Sequence, residues 1–192
     1  MLEKKESPYE KCPVYETNRF LIRLVHRDDA EDLLTCYSDP AAARLFNSDN
    51  CRSNFNYQSL EEIKHIIDFW LYEYGKHGYI RFSIVDKEIL KVVGTIEMFA
   101  RQNNNSTDQK TGVLRIDLAS AYEQEDLIEQ ILELASSHFF EDFKVEHIIT
   151  KAIPEAAQRI TALKNNEFTE LEVQEIVPYS DYYLKLKPAE IN

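Results

Sequence analysis

The chain has 192 residues, and its 34 acidic against 22 basic side chains give a net charge of −12. That field repels phosphate backbones and anionic lipid heads, which argues against a nucleic-acid or membrane partner and leaves amines and other cations as attracted ones. Four glycines stand where average usage of about 7% would give roughly 13, too few and too scattered for a dinucleotide fingerprint or a phosphate-binding P-loop. Three cysteines form no Cys-x-x-Cys pair, and no apolar run approaches the roughly 20 residues that span a bilayer. A cytoplasmic location with reduced thiols is the expectation.

In chain order, residues 1–14 read as a loose arm, and residues 15–192 as one domain. Phe20 to Val25 is a strand. Asp28 or Asp29 is expected to cap a helix to about Tyr37, and Asp39-Pro40 opens a short helix to about Phe46. Ser59-Leu60-Glu61-Glu62 fits a capping box ahead of a helix in which Ile63, Ile66, Ile67, Trp70, Leu71 and Tyr74 recur at three- and four-residue spacing, with Gly75 as its stop. The period then changes to two. Tyr79–Val85, Val92–Arg101 and Val113–Ala119 read as an antiparallel meander with a solvated tip at 102–110. A helix follows to 142, starting near 121 if Ser120 and Glu123 form a capping box and near 124 if they do not. Then come a strand at 146–153, a helix from Pro154 to about Asn166, and closing strands at 169–176 and 181–187. The order predicts an α+β single domain with a mixed, mostly antiparallel central sheet flanked by helices.

The five histidines are scattered without a His-x-x-x-His pair, so no metal site is expected. No Gly-x-Ser-x-Gly elbow marks a nucleophile.

Several segments, in order, resemble the GNAT acetyltransferases, most closely the branch acting on ribosomal-protein N-termini. Tyr15 to Arg23 is similar to the opening "E-T-x-R-L-x-L-R". Phe82-Ser83-Ile84-Val85-Asp86 with Val93-Gly94-Thr95-Ile96 is similar to "F-x-I-x-D … I-G-T-I". Arg115 to Leu118 matches the next strand. Pro154-Glu155 and Asn166-Glu167-Phe168 match a tail written "P-E-N … L-G-F". The resemblance spans roughly residues 15–187.

It implies that acetyl-CoA lies along the strand ending Leu118-Ala119. Its diphosphate would then rest on backbone amides of Gln124, Glu125, Asp126, Leu127 and Ile128, at the start of the next helix. The acceptor would be a primary amine, on a small molecule or a protein N-terminus. Glu97 and Asp117 are the candidate bases, and Tyr183 the candidate donor to the leaving thiolate. A homodimer is allowed but not required.

The chain departs from this pattern where the coenzyme should bind. The family's two loop glycines become Gln124 and Asp126, and its basic position becomes Glu125. Downstream, its Asn is Ala156, its helix Ser is Arg159 and its terminal Gly is Glu167. Two functions therefore follow from the sequence: acetyl transfer with a glycine-free acidic coenzyme loop, or a catalytically inactive binding module on the same scaffold. An open loop with free amides favours the first, and an extended, capped helix the second.

Overall fold

A computed structural model describes residues 6–51, 53, 55–102, 110–171 and 177–189. The described part of the arm, 6–14, has no helix or strand, but Tyr9 stacks on His77 at 5.3 Å and meets Phe143 edge-on. β1 (Tyr15–Glu16) pairs antiparallel with β2 (Phe20–Leu24). Asp29 does not cap α1 (Ala30–Tyr37). Its carboxylate turns inward, accepting two bonds from Arg23 (2.8 and 2.7 Å), one from Ser83 Oγ (2.6 Å) and one from the His26 amide (2.8 Å). Asp39 caps α2 (Pro40–Ala43) through the Ala41 amide, and that helix ends three residues before the expected Phe46.

α3 (Leu60–Gly75) opens with the expected reciprocal bonds between Ser59 and Glu62. Gly75 is not what stops it: the left-handed residue beyond the helix is His77, at φ 59°. β3 (Ile80–Asp86), β4 (Lys91–Gln102) and β5 (Lys110–Leu118) form the meander, and most of the expected 102–110 tip lies outside the described residues. α4 (Glu125–Asp142), β6 (His147–Lys151), α5 (Ala157–Asn165), β7 (Thr169–Glu170) and β8 (Tyr182–Leu186) complete the chain. Pro154-Glu155 sits in a turn ahead of α5 rather than in its first turn. Residues 172–176 of the expected strand 169–176 lie outside the described residues.

The strands form one sheet in the order β1-β2-β3-β4-β5-β6-β8-β7, antiparallel except for β5 with β6. Alternation along each strand sends one set of side chains to each face. Ile96, Met98, Leu114, Ile116 and Ile148 meet Ile128, Ile131, Leu132 and Phe139 of α4 in the main core. On the other face α1 and α3 enclose a second core around Leu33, Tyr37, Ile63, Ile67 and Trp70. This is one α+β domain.

Two features of the sheet position the site. β4 and β5 approach so closely at Gly94 that a Cβ there would lie 2.2 Å from the Asp117 carbonyl oxygen and 3.0 Å from Leu118 Cα, so only glycine fits. β5 and β6 pair only from Thr111–His147 to Val113–Ile149. Beyond that point they part, and from Leu114 to Leu118 β5 has a strand partner only on its β4 side.

Asp29 also gives a pH dependence. Burial pushes its pKa up, but the bonds from Arg23, Ser83 and His26 outweigh that and hold it below the ordinary value. The unfolded chain therefore takes up this proton first as pH falls. The contribution is complete above the ordinary aspartate range near 3.9 and disappears as pH falls toward the lower folded value. Urea unfolding at pH 7 and at pH 3 is expected to show wild type losing more stability between them than Asp29→Asn; equal losses would remove the assignment.

Candidate active site

Three neighbouring strands bring a charged cluster to the face covered by α1 and α3. The register places Arg81 opposite Glu97, Thr95 opposite Asp117, and Glu97 opposite Arg115. Arg81 is 1% exposed and donates to Glu97 (2.5 Å), Asp117 (2.9 Å) and Thr95 (3.0 Å). Arg115 donates to the other Glu97 oxygen (2.6 Å) and to the Asp49 carbonyl (2.9 Å). Tyr37, from α1, donates to Asp117 at 2.8 Å. The Arg81 guanidinium lies over the Trp70 ring at 4.6 Å, a face-on cation–π contact in a site without water's screening.

These groups set one another's ionisation. Burial alone would lower the Arg81 pKa, but Glu97, Tyr37 and Asp117 raise it above its ordinary value. Burial pushes the Asp117 pKa up, and the Arg81 charge and Tyr37 bond draw it back only in part. Burial and the neighbouring Asp117 drive the Tyr37 phenol well up.

Glu97 and Asp117, the two candidate bases, are thus brought together, but Arg81 bridges them. Glu97 reaches the wall of a cavity of about 330 Å³ formed with Phe55, Tyr57, Phe69, Trp70 and Tyr79. Asp117 does not line this cavity; it is 1% exposed beneath Tyr37. On the far side of Arg115 a second cavity, about 350 Å³, lies between Asp49, Phe99, Arg101 and Tyr182. Tyr183 is on the opposite face of the sheet, 5% exposed in the main core, because alternation along β8 turns it away. It cannot reach Glu97 from there without leaving the core. Its neighbour Tyr182 faces the cleft, its hydroxyl accepting from Asn47 at 3.0 Å.

Sequence reasoning missed Arg81 and Tyr37, and marked Arg159 only as a departure from the family's pattern. An arginine between Ile80 and Phe82 was a legible signal, since strand alternation puts its side chain on one face with Ser83.

The expected coenzyme segment lies where β5 and β6 part. Leu118 is buried and Ala119 bonds back to the Val93 carbonyl. The capping box expected of Ser120 and Glu123 does not form. A single 3-10 turn spans Ser120–Tyr122, and α4 starts at Glu125 after the extended Gln124. Glu123 instead turns to Arg159 of α5. Ile128 makes the helix's first backward bond, to Gln124, so the amides of Glu125, Asp126 and Leu127 have no acceptor within the helix. Gln158 accepts from the Glu125 amide at 3.1 Å. The Leu127 and Ile128 side chains are buried in the main core, whereas Gln124 and Asp126 are exposed. Glu125 and Glu129 both accept from Asn165.

The backbone therefore suits an extended ligand ending in a diphosphate: a bare strand edge leads to outward amides at a positive dipole end. The side chains stand across it. Arg159, 3% exposed, donates at 2.8 Å to the Ile116 carbonyl on that bare edge and pairs with Glu123. Among the described residues no group of His, Cys, Asp or Glu could hold a metal, and no helix is long and apolar enough to cross a membrane.

A sheet parted between two parallel strands, with a helix N-terminus at the mouth of the gap, defines a GNAT-type fold. A profile of the acetyltransferase (GNAT) domain matches residues 19–169, and the chain belongs to that family. Solved structures share the fold. An acetyltransferase (GNAT family) from Bacillus anthracis is 14% identical with a TM-score of 0.65, over 91% of this chain and 99% of that one. The ribosomal-protein-S5-alanine acetyltransferase from Vibrio fischeri is 15% identical with a TM-score of 0.64, over 91% and 97%. A ribosomal L7/L12 alpha-N-protein acetyltransferase in complex with coenzyme A is 10% identical with a TM-score of 0.68, over 91% and 98%. A search of curated protein sequences found no match.

Proposed function

We propose that the protein is an N-acetyltransferase that takes acetyl-CoA along the free edge of β5 and a primary amine in the cleft over Glu97. The observation that carries this reading is the path itself: unpaired strand edge, outward α4 amides, and a carboxylate on a cavity wall on the facing side of the sheet. The coenzyme, when bound, supplies an activated acyl group. The chain's part is to hold and orient. Glu97 accepts a hydrogen bond from the amine, while Arg81 and Arg115 fix both of its oxygens. The aromatic wall of Phe55, Tyr57 and Trp70 excludes water from that contact. Two of the similar structures are named for ribosomal-protein substrates, which supports a protein N-terminus as one acceptor class beside small amines.

Calorimetric titration with acetyl-CoA and a screen of amine acceptors test the proposal. Glu97→Gln is expected to lower kcat about 100-fold, in the range of one positioned acid–base group. Asp117→Asn is expected to change stability more than rate, because Asp117 sits off the cavity. No binding at millimolar acetyl-CoA would overturn the reading. The specific observation favouring the inactive binding module instead is the Arg159 side chain on the Ile116 carbonyl.

A further inference from the structure

The bare edge of β5 ends against a buried charged side chain, Arg159. α5 buries Ala162 and Leu163 in the main core, with Ile160 packed against it, as an amphipathic helix should. Arg159, on the same helix, is charged yet only 3% exposed. Its Nη1 donates to the Ile116 carbonyl, a backbone acceptor left free because β6 has already diverged. Its Nε and Nη2 both go to Glu123, whose side chain is 9% exposed, in the turn between β5 and α4. One guanidinium thus ties together the free strand, the acidic turn and α5. Beside it a cleft of about 230 Å³ opens between Arg44, Ser120, Glu155 and Gln158.

We infer that Arg159 and Glu123 form a gate over the coenzyme groove, closed in this structure, and that the gate must part for acetyl-CoA to enter. This rests on the acetyltransferase reading and adds a form of regulation to it. A ligand lying along β5 would need the Ile116 carbonyl as its hydrogen-bond acceptor and the volume now filled by the guanidinium. Both are taken by the chain itself. Opening separates a buried ion pair and leaves each partner to find water or a new counter-charge, so the closed state is favoured until something replaces those bonds. Apparent coenzyme affinity is therefore reduced by the fraction of molecules that are closed, without any change in the amides of α4.

The test is calorimetric titration of the full chain with coenzyme A, alongside thermal melting of each variant to show that it folds. Arg159→Ser is expected to bind at least tenfold more tightly than wild type. Glu123→Gln, which keeps the guanidinium but weakens its hold, is expected to bind about threefold more tightly, and serves if the arginine variant fails to fold. Glu125→Gln removes the same charge from the same segment without touching the gate, and is expected to gain clearly less affinity than Glu123→Gln. Equal gains from Glu123→Gln and Glu125→Gln would mean loop charge alone, and would overturn the gate. Wild type binding as tightly as Arg159→Ser would overturn it too, while leaving the acetyltransferase reading intact. Folded variants that all fail to bind at millimolar coenzyme A would overturn both.

Discussion

Replacing Arg81 with methionine is expected to destabilise the protein by about 3–5 kcal/mol, the range for removing one partner of a buried ion pair. The substitution keeps much of the aliphatic volume and deletes only the charge. Glu97 would keep Arg115, but Asp117 would keep only the Tyr37 hydroxyl and its own unpartnered Oδ1. A carboxylate so placed must either lose its charge or open the sheet to water. Urea unfolding at neutral pH checks the magnitude. Adding Asp117→Asn to Arg81→Met is expected to recover part of the loss, since the amide has no charge to strand. If the double variant were no better than the single one, the loss would come from packing, and the ionic account of the cluster would be wrong.

Trp70→Ala is expected to cost about 3–5 kcal/mol, as large aromatic truncations in packed cores do. Trp70 is 2% exposed, and its ring carries two burdens. It packs against Tyr37 at 5.8 Å in the second core, and it is the surface under the Arg81 guanidinium. The cavity left behind would merge with the 330 Å³ cavity that Trp70 already lines, so water can follow. Because Trp70 and Arg81 touch, their losses should not add. A double-mutant cycle is expected to give a coupling of at least about 0.5 kcal/mol, the lower end for contacting residues. Additivity within error would show that the cation–π contact contributes nothing measurable.

Much of the domain is legible in the sequence. Ser59 and Glu62 announced α3 because a capping box is a bond between residues three apart, complete within the segment that encodes it. The meander was legible because alternation is a local property of a strand. Errors fell where one local bond competed with a distant one. Asp29 is a competent helix cap by sequence, yet Arg23 and Ser83 claimed its carboxylate. Ser120 and Glu123 have capping-box spacing, yet Arg159, 36 residues on, took the glutamate. His77 rather than Gly75 took the left-handed turn after α3.

The same division runs through the candidate site. The sequence by itself determined an acidic α+β chain, the three-strand meander, and a segment after β5 stripped of glycine and base. Each depends on composition, periodicity or a motif within one segment. Only the tertiary structure decided that Glu97 and Asp117 are bridged by Arg81, that Tyr183 faces away from them, that α4 starts at Glu125 with the Asp126 and Leu127 amides lacking an acceptor within the helix, and that Arg159 covers the edge of β5. The pairings among these join residues 16 to 43 positions apart. Their partners are chosen by strand register and helix docking, because a buried charge takes whichever opposite charge the packed fold places within reach.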